Sequence, residues 1–389
     1  MKWTDAVLDR LRHEGDPEAD AVITQIFERG ELREVQRLIR GLQDNDDPVP
    51  EALPDEVEAY FEDMGSITDA ERREAAVGEK FFAVHGPEIM MVLCCASLPF
   101  DYANYRGVDV LYRTGFLKDR PARRVAQTAQ MILDVMRPGG LTDDGYGIRS
   151  AQKVRLMHAA IRYMILHSDA HPWDVERVGV PINQADLLYT LMSFTQVVLD
   201  GMDKLRLGVT PREAEAYLGT WCTVGRLMGI DPEMLPSNVA EARVLTQILA
   251  RRNHGASEAG KAMTDAIAGL IGDVLGEPLR AFRWSLLRFF NPPETCQMLG
   301  IPRHPVRDRM AHGVVVLSFL LDQIVDRPGP IRIWFRNFSV NMIQHYIEAE
   351  LGPATRSFRI PTRLHGDWKA STRRSKGWPV GRRRAGVRR

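Results

Sequence analysis

The sequence has few cysteines and no spacing that would tie them into a metal site or a disulfide framework. Four cysteines occur among 389 residues, and no C-x-x-C motif is present. Structural zinc sites and disulfide scaffolds both depend on repeated, closely spaced cysteines. The sequence therefore predicts buried, reduced thiols at Cys94, Cys95, Cys222 and Cys296.

Long uninterrupted apolar runs are also scarce. The N-terminal stretch MKWTDAVLDRLRHEGD is too charged to form the apolar centre of a secretory signal. The apolar run from Gly313 to Leu321 is too short to cross a bilayer. We therefore expect a cytoplasmic protein without a transmembrane segment.

Charge of either sign does not dominate, because the formal net charge is +0, but it is unevenly distributed. Residues 41–80 hold 13 acidic and 3 basic side chains, whereas residues 371–389 hold 8 basic and no acidic ones. The body without that tail therefore carries 0 − 8 = −8, which argues against nucleic acid as a partner. The basic tail could instead contact a membrane surface.

Strand-like alternation is nearly absent, and Ala, Leu, Met, Glu and Arg dominate the sequence. This composition predicts an all-α fold. We expect a helical N-terminal extension over residues 1–80, a larger helical domain over residues 81–365 and a disordered basic tail over residues 366–389. No Gly-rich phosphate loop, G-x-S-x-G or H-E-x-x-H motif occurs.

The helix that begins at Pro121 carries two polar residues on its apolar face. Arg124 and Thr128 are four residues apart and continue a stripe that includes Val135. If these side chains are buried, they need hydrogen-bond partners. They could line a functional pocket, or Arg124 could pair with an acid of the N-terminal region.

A second helix, with the sequence VRLMHAAIR, places His158 among apolar residues. A histidine in such a position is either a packed core residue or a metal ligand. Arg155 and Arg162 flank it at −3 and +4, and two buried arginines require anions. The propionates of a haem suit guanidinium groups well, although both arginines could also extend to solvent.

These two segments, their separation and the following GVPINQADLLYT (Gly179–Thr190) resemble the latex-clearing protein (rubber oxygenase) family. They also resemble the wider superfamily that contains the mycophenolic-acid-pathway oxygenase. The resemblance covers residues from about 80 to 300 and implies a globin-like helical core around one b-type haem. It implies that His158 is the proximal iron ligand and that Arg124 and Thr128 lie on the distal helix.

The sequence departs from the family pattern at three positions. Gln127 stands where rubber-cleaving members carry a lysine that can bind the iron, so Gln127 is a candidate cofactor-contacting residue of weaker ligand strength. The acid that those members use as a base aligns with Val108, which makes its neighbour Asp109 the catalytic candidate. Met192 replaces an expected histidine. Rubber cleavage is therefore less favoured than another oxidation.

The resemblance implies a haem b oxygenase that acts with dioxygen on an apolar, unsaturated substrate, such as an isoprenoid, polyketide or lipid. His158 would bind the iron, Arg124 and Thr128 would contact dioxygen, and Arg155 and Arg162 would bind the propionates. Two alternatives remain: a non-catalytic haem protein for electron transfer or sensing, and a helical scaffold without a cofactor.

Overall fold

A computed structural model describes residues 2–39, 45, 47, 49–63, 66–113, 121–169 and 172–313. Within these residues the chain is helical, and its only β-structure is an isolated bridge between Asn104 and His254. The all-α prediction is confirmed. The helices are α1 (Asp5–Leu11), α2 (Pro17–Arg29), α3 (Leu32–Ile39), α4 (Asp55–Asp63), α5 (Asp69–Val92), α6 (Leu98–Tyr102), α7 (Val108–Arg113), α8 (Pro121–Met136), α9 (Gly147–Leu166), α10 (Val175–Val178), α11 (Gln184–Phe194), α12 (Gln196–Lys204), α13 (Pro211–Leu227), α14 (Val239–Asn253), α15 (Glu258–Leu275), α16 (Arg283–Phe290) and α17 (Pro293–Met298).

Several helices begin where local side-chain chemistry satisfies the free backbone amides of the first turn. The hydroxyl of Thr210 accepts from the amide of Glu213, whose carboxylate accepts from the Thr210 amide in return. This is the capping box that the Thr-Pro-Arg-Glu sequence predicts. Asn183 caps α11 in a similar way, through the amide of Asp186. These starts are encoded locally.

The central helix is longer than the sequence predicts. Its spacing indicates one helix that ends near Val84 and a second that begins at Pro87, but α5 continues through Pro87 to Val92. A π-helical turn at Leu93–Ser97 then joins α5 to α6. A proline inside a helix costs about 3 kcal/mol, and here packing of α5 against α13 and α8 offsets that cost.

The resulting helix, Asp69–Tyr102, is long and apolar enough to cross a membrane by length and composition. Half of its most apolar stretch is buried inside the protein, and core helices of water-soluble proteins have the same properties. The absence of a transmembrane segment and the cytoplasmic location therefore stay predictions.

The N-terminal helices pack against the back of α9. A hydrophobic cluster joins Ile23 and Ile26 of α2 and Tyr60 of α4 to Leu156 and Ala160 of α9. The predicted boundary after residue 80 lies inside α5, and the predicted boundary after residue 365 lies outside the described residues. The division into three parts stays a prediction.

Candidate functional site

Helix α8 places Arg124 and Thr128 one turn apart, as the sequence predicts. The Thr128 hydroxyl donates to the carbonyl oxygen of Arg124 at 3.2 Å. The Arg124 side chain is partly exposed, but protein surrounds its guanidinium group. This burial lowers the pKa of Arg124. In the described part of the chain it has no hydrogen bond and no carboxylate partner. The predicted alternative, an ion pair with an N-terminal acid, is therefore not found among these residues.

His158 lies on α9, which packs against α8. Burial lowers its pKa to about 3, with further contributions from the charges of Arg124 and Arg162. The ring is therefore neutral at physiological pH and offers a free lone pair, which is the form that binds metals. Among the described residues, its Nδ1 atom is buried without a hydrogen-bond partner. A histidine that serves only as packing is normally hydrogen-bonded when buried, so this geometry favours a ligand role.

The influence of Arg124 on His158 shows that the two side chains lie within electrostatic reach of each other. Both residues are partly exposed, and they lie on two helices that pack against each other. The structure thus brings together a neutral imidazole and an uncompensated cation. The sequence predicts this pair from two segments about thirty residues apart.

Two further residues of the site region, Asp101 and its neighbour Tyr102, were not identified from the sequence. Asp101, like Cys94, is partly exposed but surrounded by protein. Tyr102 is fully buried, its hydroxyl has no hydrogen-bond partner in the described residues, and the charge of Arg124 acts on it. Burial raises the pKa of Asp101 well above its usual value. The signal that could have found them is the polar pair at the end of an otherwise apolar helix.

Proton counting supports a neutral Asp101. The Ser193 hydroxyl lies 3.1 Å from Asp101 Oδ2 and 2.8 Å from the carbonyl oxygen of Thr190. A hydroxyl has one proton and can donate to only one of these oxygens at a time. When Ser193 donates to Thr190, the contact with Asp101 requires a proton on the carboxyl group. Among the described residues, Asp101 Oδ1 is buried without a hydrogen-bond partner.

Asp109 and Gln127 are not drawn into this group. Asp109 is partly buried on α7, between the buried Val108 and Val110, and no hydrogen bond or ion pair joins it to Arg124 or His158 among the described residues. Gln127 lies on α8, partly exposed, and likewise makes no such contact with His158 there. Their roles stay predictions.

Arg155 and Arg162 are buried and turn towards α2 rather than towards a cofactor. Arg155 binds Asp16 and Glu18, and Arg162 binds Asp20. The argument that two buried arginines require anions holds, and carboxylates of this chain supply them, so contact of either arginine with haem propionates stays a prediction. The carboxylates lie at the start of α2. The spacing of residues within α9 could not identify them, because they are far away in the sequence.

The donor set fits a haem better than a metal held by protein alone. No group of three or more metal-binding side chains occurs among the described residues. A macrocycle supplies its own nitrogen ligands, so one neutral imidazole is sufficient. His158, which has no Nδ1 hydrogen bond among the described residues and lies within electrostatic reach of the Arg124 cation, is consistent with that arrangement.

Comparisons with known proteins agree with this interpretation. Residues 82–319 match the family described as the catalytic domain of the ER-bound oxygenases mpaB/B' and rubber oxygenase. A rubber oxygenase from Streptomyces sp. (strain K30) is 26% identical over 306 residues, which cover 76% of this chain and 72% of that protein. The structure of latex clearing protein LCP in the closed state superimposes with a TM-score of 0.74 at 23% identity, over 87% of this chain and 91% of that one.

Proposed function

Because the chain belongs to the family of the mpaB-type and rubber oxygenases, we propose that it is a haem b-dependent oxygenase that acts with dioxygen on an apolar, unsaturated molecule. Family membership makes it an oxidoreductase. The observation that carries the proposal is the uncompensated cation of Arg124 within electrostatic reach of a neutral, orphaned His158.

His158 would hold the iron, because its ring is neutral and a neutral imidazole offers a nitrogen lone pair to a metal. A bound haem would supply the redox chemistry with dioxygen, and the protein supplies ligation, polarity and a dry environment. Arg155 and Arg162 are not assigned to the haem, since Asp16 and Asp20 already bind them.

Arg124 would stabilise negative charge that develops on a reacting oxygen atom. A guanidinium that has lost its water and has no counter-anion gains most when an anionic oxygen approaches. Thr128 differs from expectation, because its hydroxyl proton is donated to the Arg124 carbonyl oxygen. In this conformation its oxygen can accept a hydrogen bond, and it holds the backbone of the turn that carries Arg124.

The surroundings support an apolar substrate. Met90 packs against Ala126, Ala129 and Leu133 of α8. Partly buried apolar side chains also recur along the central helix at Met91 and Leu98. Hydrocarbon surface of this kind excludes water and binds apolar chains. That the molecule is unsaturated is inferred from the family alone.

The experiment is a spectrum followed by a turnover assay. Protein expressed with ample haem supply should show a Soret band and about one extractable haem b per chain. Covalent attachment is not expected, since no C-x-x-C-H motif occurs. A colourless preparation would refute the proposal.

Dioxygen consumption should then be compared with squalene and with squalane, its saturated counterpart. We expect consumption above background with squalene only. Haem-loaded protein that consumes dioxygen with neither compound, nor with other unsaturated isoprenoids, would favour the non-catalytic alternative.

A further inference from the structure

The back of α9 is fixed to the N-terminal region by ion pairs of two buried arginines, one on either side of His158. Arg155 donates through Nε to Asp16 at 2.5 Å and through Nη2 to the second oxygen of the same carboxylate at 2.7 Å. Arg162 binds Asp20 and also donates to the carbonyl oxygens of residues 181 and 182, at 2.9 and 2.8 Å. The arginines lie three residues before and four residues after His158.

The first of these pairs is sealed from solvent. The side chains of Arg155 and Asp16 are 7% and 4% exposed. Gly229, at φ +86°, closes the site, because a Cβ atom there would lie 2.4 Å from Asp16 and 2.6 Å from Arg155. Only a glycine tolerates both that backbone conformation and that approach. The pair therefore has no room to exchange one partner for water.

Packing continues the attachment along α9. Phe27 of α2 stacks on Tyr163 with ring centroids 4.6 Å apart. The hydroxyl of Tyr60 donates to the carbonyl oxygen of Gln152 at 2.8 Å. From Gln152 to Tyr163 the back of α9 thus lies against α2 and α4, and the segment with His158 is in the middle.

His158 lacks the local support that metal-binding histidines normally have. Such a histidine usually donates its second ring N–H to a carboxylate, a carbonyl oxygen or a water molecule, which fixes the orientation of the ring. Within the part of the chain that the structure describes, Nδ1 of His158 has no such partner. The position of the ring must then come from the backbone of α9, and that backbone is fixed by what holds Arg155 and Arg162.

We propose that Asp16 and Asp20 are positioning residues for His158: by holding Arg155 and Arg162 they fix α9 and thereby set how long the haem stays bound. The proposal rests on the proposed function in one respect, which is that His158 is the haem ligand. It gives the N-terminal helices a part in the site although they lie outside the segment that matches the family.

The test measures haem transfer from the loaded protein to an excess of apomyoglobin. For Asp16→Asn and Asp20→Asn we expect haem loss about tenfold faster or more, the size of effect seen when outer partners of metal ligands are removed. Asp20→Asn is the milder variant, because Arg162 keeps both of its backbone acceptors.

Two controls separate positioning from a general loss of N-terminal contacts. Asp5→Asn with Asp9→Asn removes the pairs that join α1 to Arg252 on α14, which do not involve α9. Glu18→Gln removes a second carboxylate from Arg155, but that carboxylate is 69% exposed and screened by solvent. Both controls should release haem within about twofold of the unchanged protein. Equal haem loss in the controls and in the Asp16 and Asp20 variants would overturn the proposal, as would unchanged loss in both of those variants.

Amide hydrogen exchange in haem-free protein keeps the proposal testable if no haem binds. Exchange along α9 should become faster in Asp16→Asn and Asp20→Asn and stay unchanged in the Asp5 and Asp9 control. Absence of haem with this exchange pattern would refute the proposed function and leave the attachment of α9 intact. Normal exchange along α9 in both variants would refute the attachment itself.

Discussion

The two sides of α9 treat buried polar groups in opposite ways. On the side of α2, Arg155 and Arg162 are buried with carboxylates that match their charge. On the side of α8, Nδ1 of His158 has no partner and Arg124 has no anion among the described residues. One helix therefore carries a satisfied surface and an unsatisfied one.

This difference shows which side is structural. A buried charge without a partner costs several kcal/mol in folding, by order of magnitude, so it persists only where a ligand or a reaction uses it. The paired side stabilises the fold in the absence of any ligand. The unpaired side lowers the stability of the ligand-free protein and is expected to be satisfied when a ligand binds.

The largest effect is expected from a substitution of His158 on the side without partners. His158→Ala should abolish most haem binding, because the imidazole is the proposed ligand of the iron. Met157→Leu, a nearly volume-conserving change at the adjacent position, should keep the haem. The Soret absorbance per chain measures both. Full occupancy and an unchanged spectrum in His158→Ala would mean that another residue is the ligand.

The next largest effect is expected on the side of α2, where Asp16 and Arg155 form a buried ion pair. Asp16→Ala should lower the free energy of unfolding by about 3–5 kcal/mol, since it leaves Arg155 charged and buried. The double variant with Arg155→Met should recover most of that loss, because no uncompensated charge remains. Urea unfolding of the single and double variants is the measurement. Additive losses in the double variant would show that the two side chains are not coupled.

On the side of α8, removing a charged side chain should not lower the stability of the protein, in contrast to Asp16→Ala. Arg124→Met should leave the thermal stability of haem-free protein unchanged or raised, because it removes a desolvated cation without a partner. It should lower turnover per haem by about 100- to 1000-fold, which is the range for removing a preorganised donor. A fall in melting temperature with normal turnover per haem would place Arg124 in the structural part of the core.

A smaller comparison uses two buried tyrosines. The hydroxyl of Tyr217 donates to the carbonyl oxygen of Phe194 at 3.0 Å, whereas that of Tyr102 has no partner in the described part of the chain. Tyr217→Phe should therefore lower the free energy of unfolding by about 1 kcal/mol, and Tyr102→Phe should leave it unchanged or raise it. Urea unfolding of haem-free protein checks this. An equal loss in both would show that Tyr102 has a structural hydrogen bond in solution.

Local chemistry accounts for what the sequence predicted well. The capping residues Thr210 and Asn183 act on amides within their own turns, so neighbouring residues suffice to identify them. The spacing of Arg124 and Thr128 is likewise a property of one helix. The passage of α5 through Pro87 was missed, since the packing that offsets the cost of the proline involves α13 and α8.

The sequence by itself determined the helical class, the capped helix starts and the spacing of Arg124 and Thr128, because these depend on contacts within a few residues along the chain. Tertiary structure decided which groups found partners. It gave Arg155 and Arg162 the carboxylates of Asp16 and Asp20, and it left Arg124 and His158 Nδ1 without partners in the described residues. The physical reason is that satisfaction of a buried charge depends on what lies across the interface, and the opposing residue can be 139 positions away in sequence, as Asp16 is from Arg155.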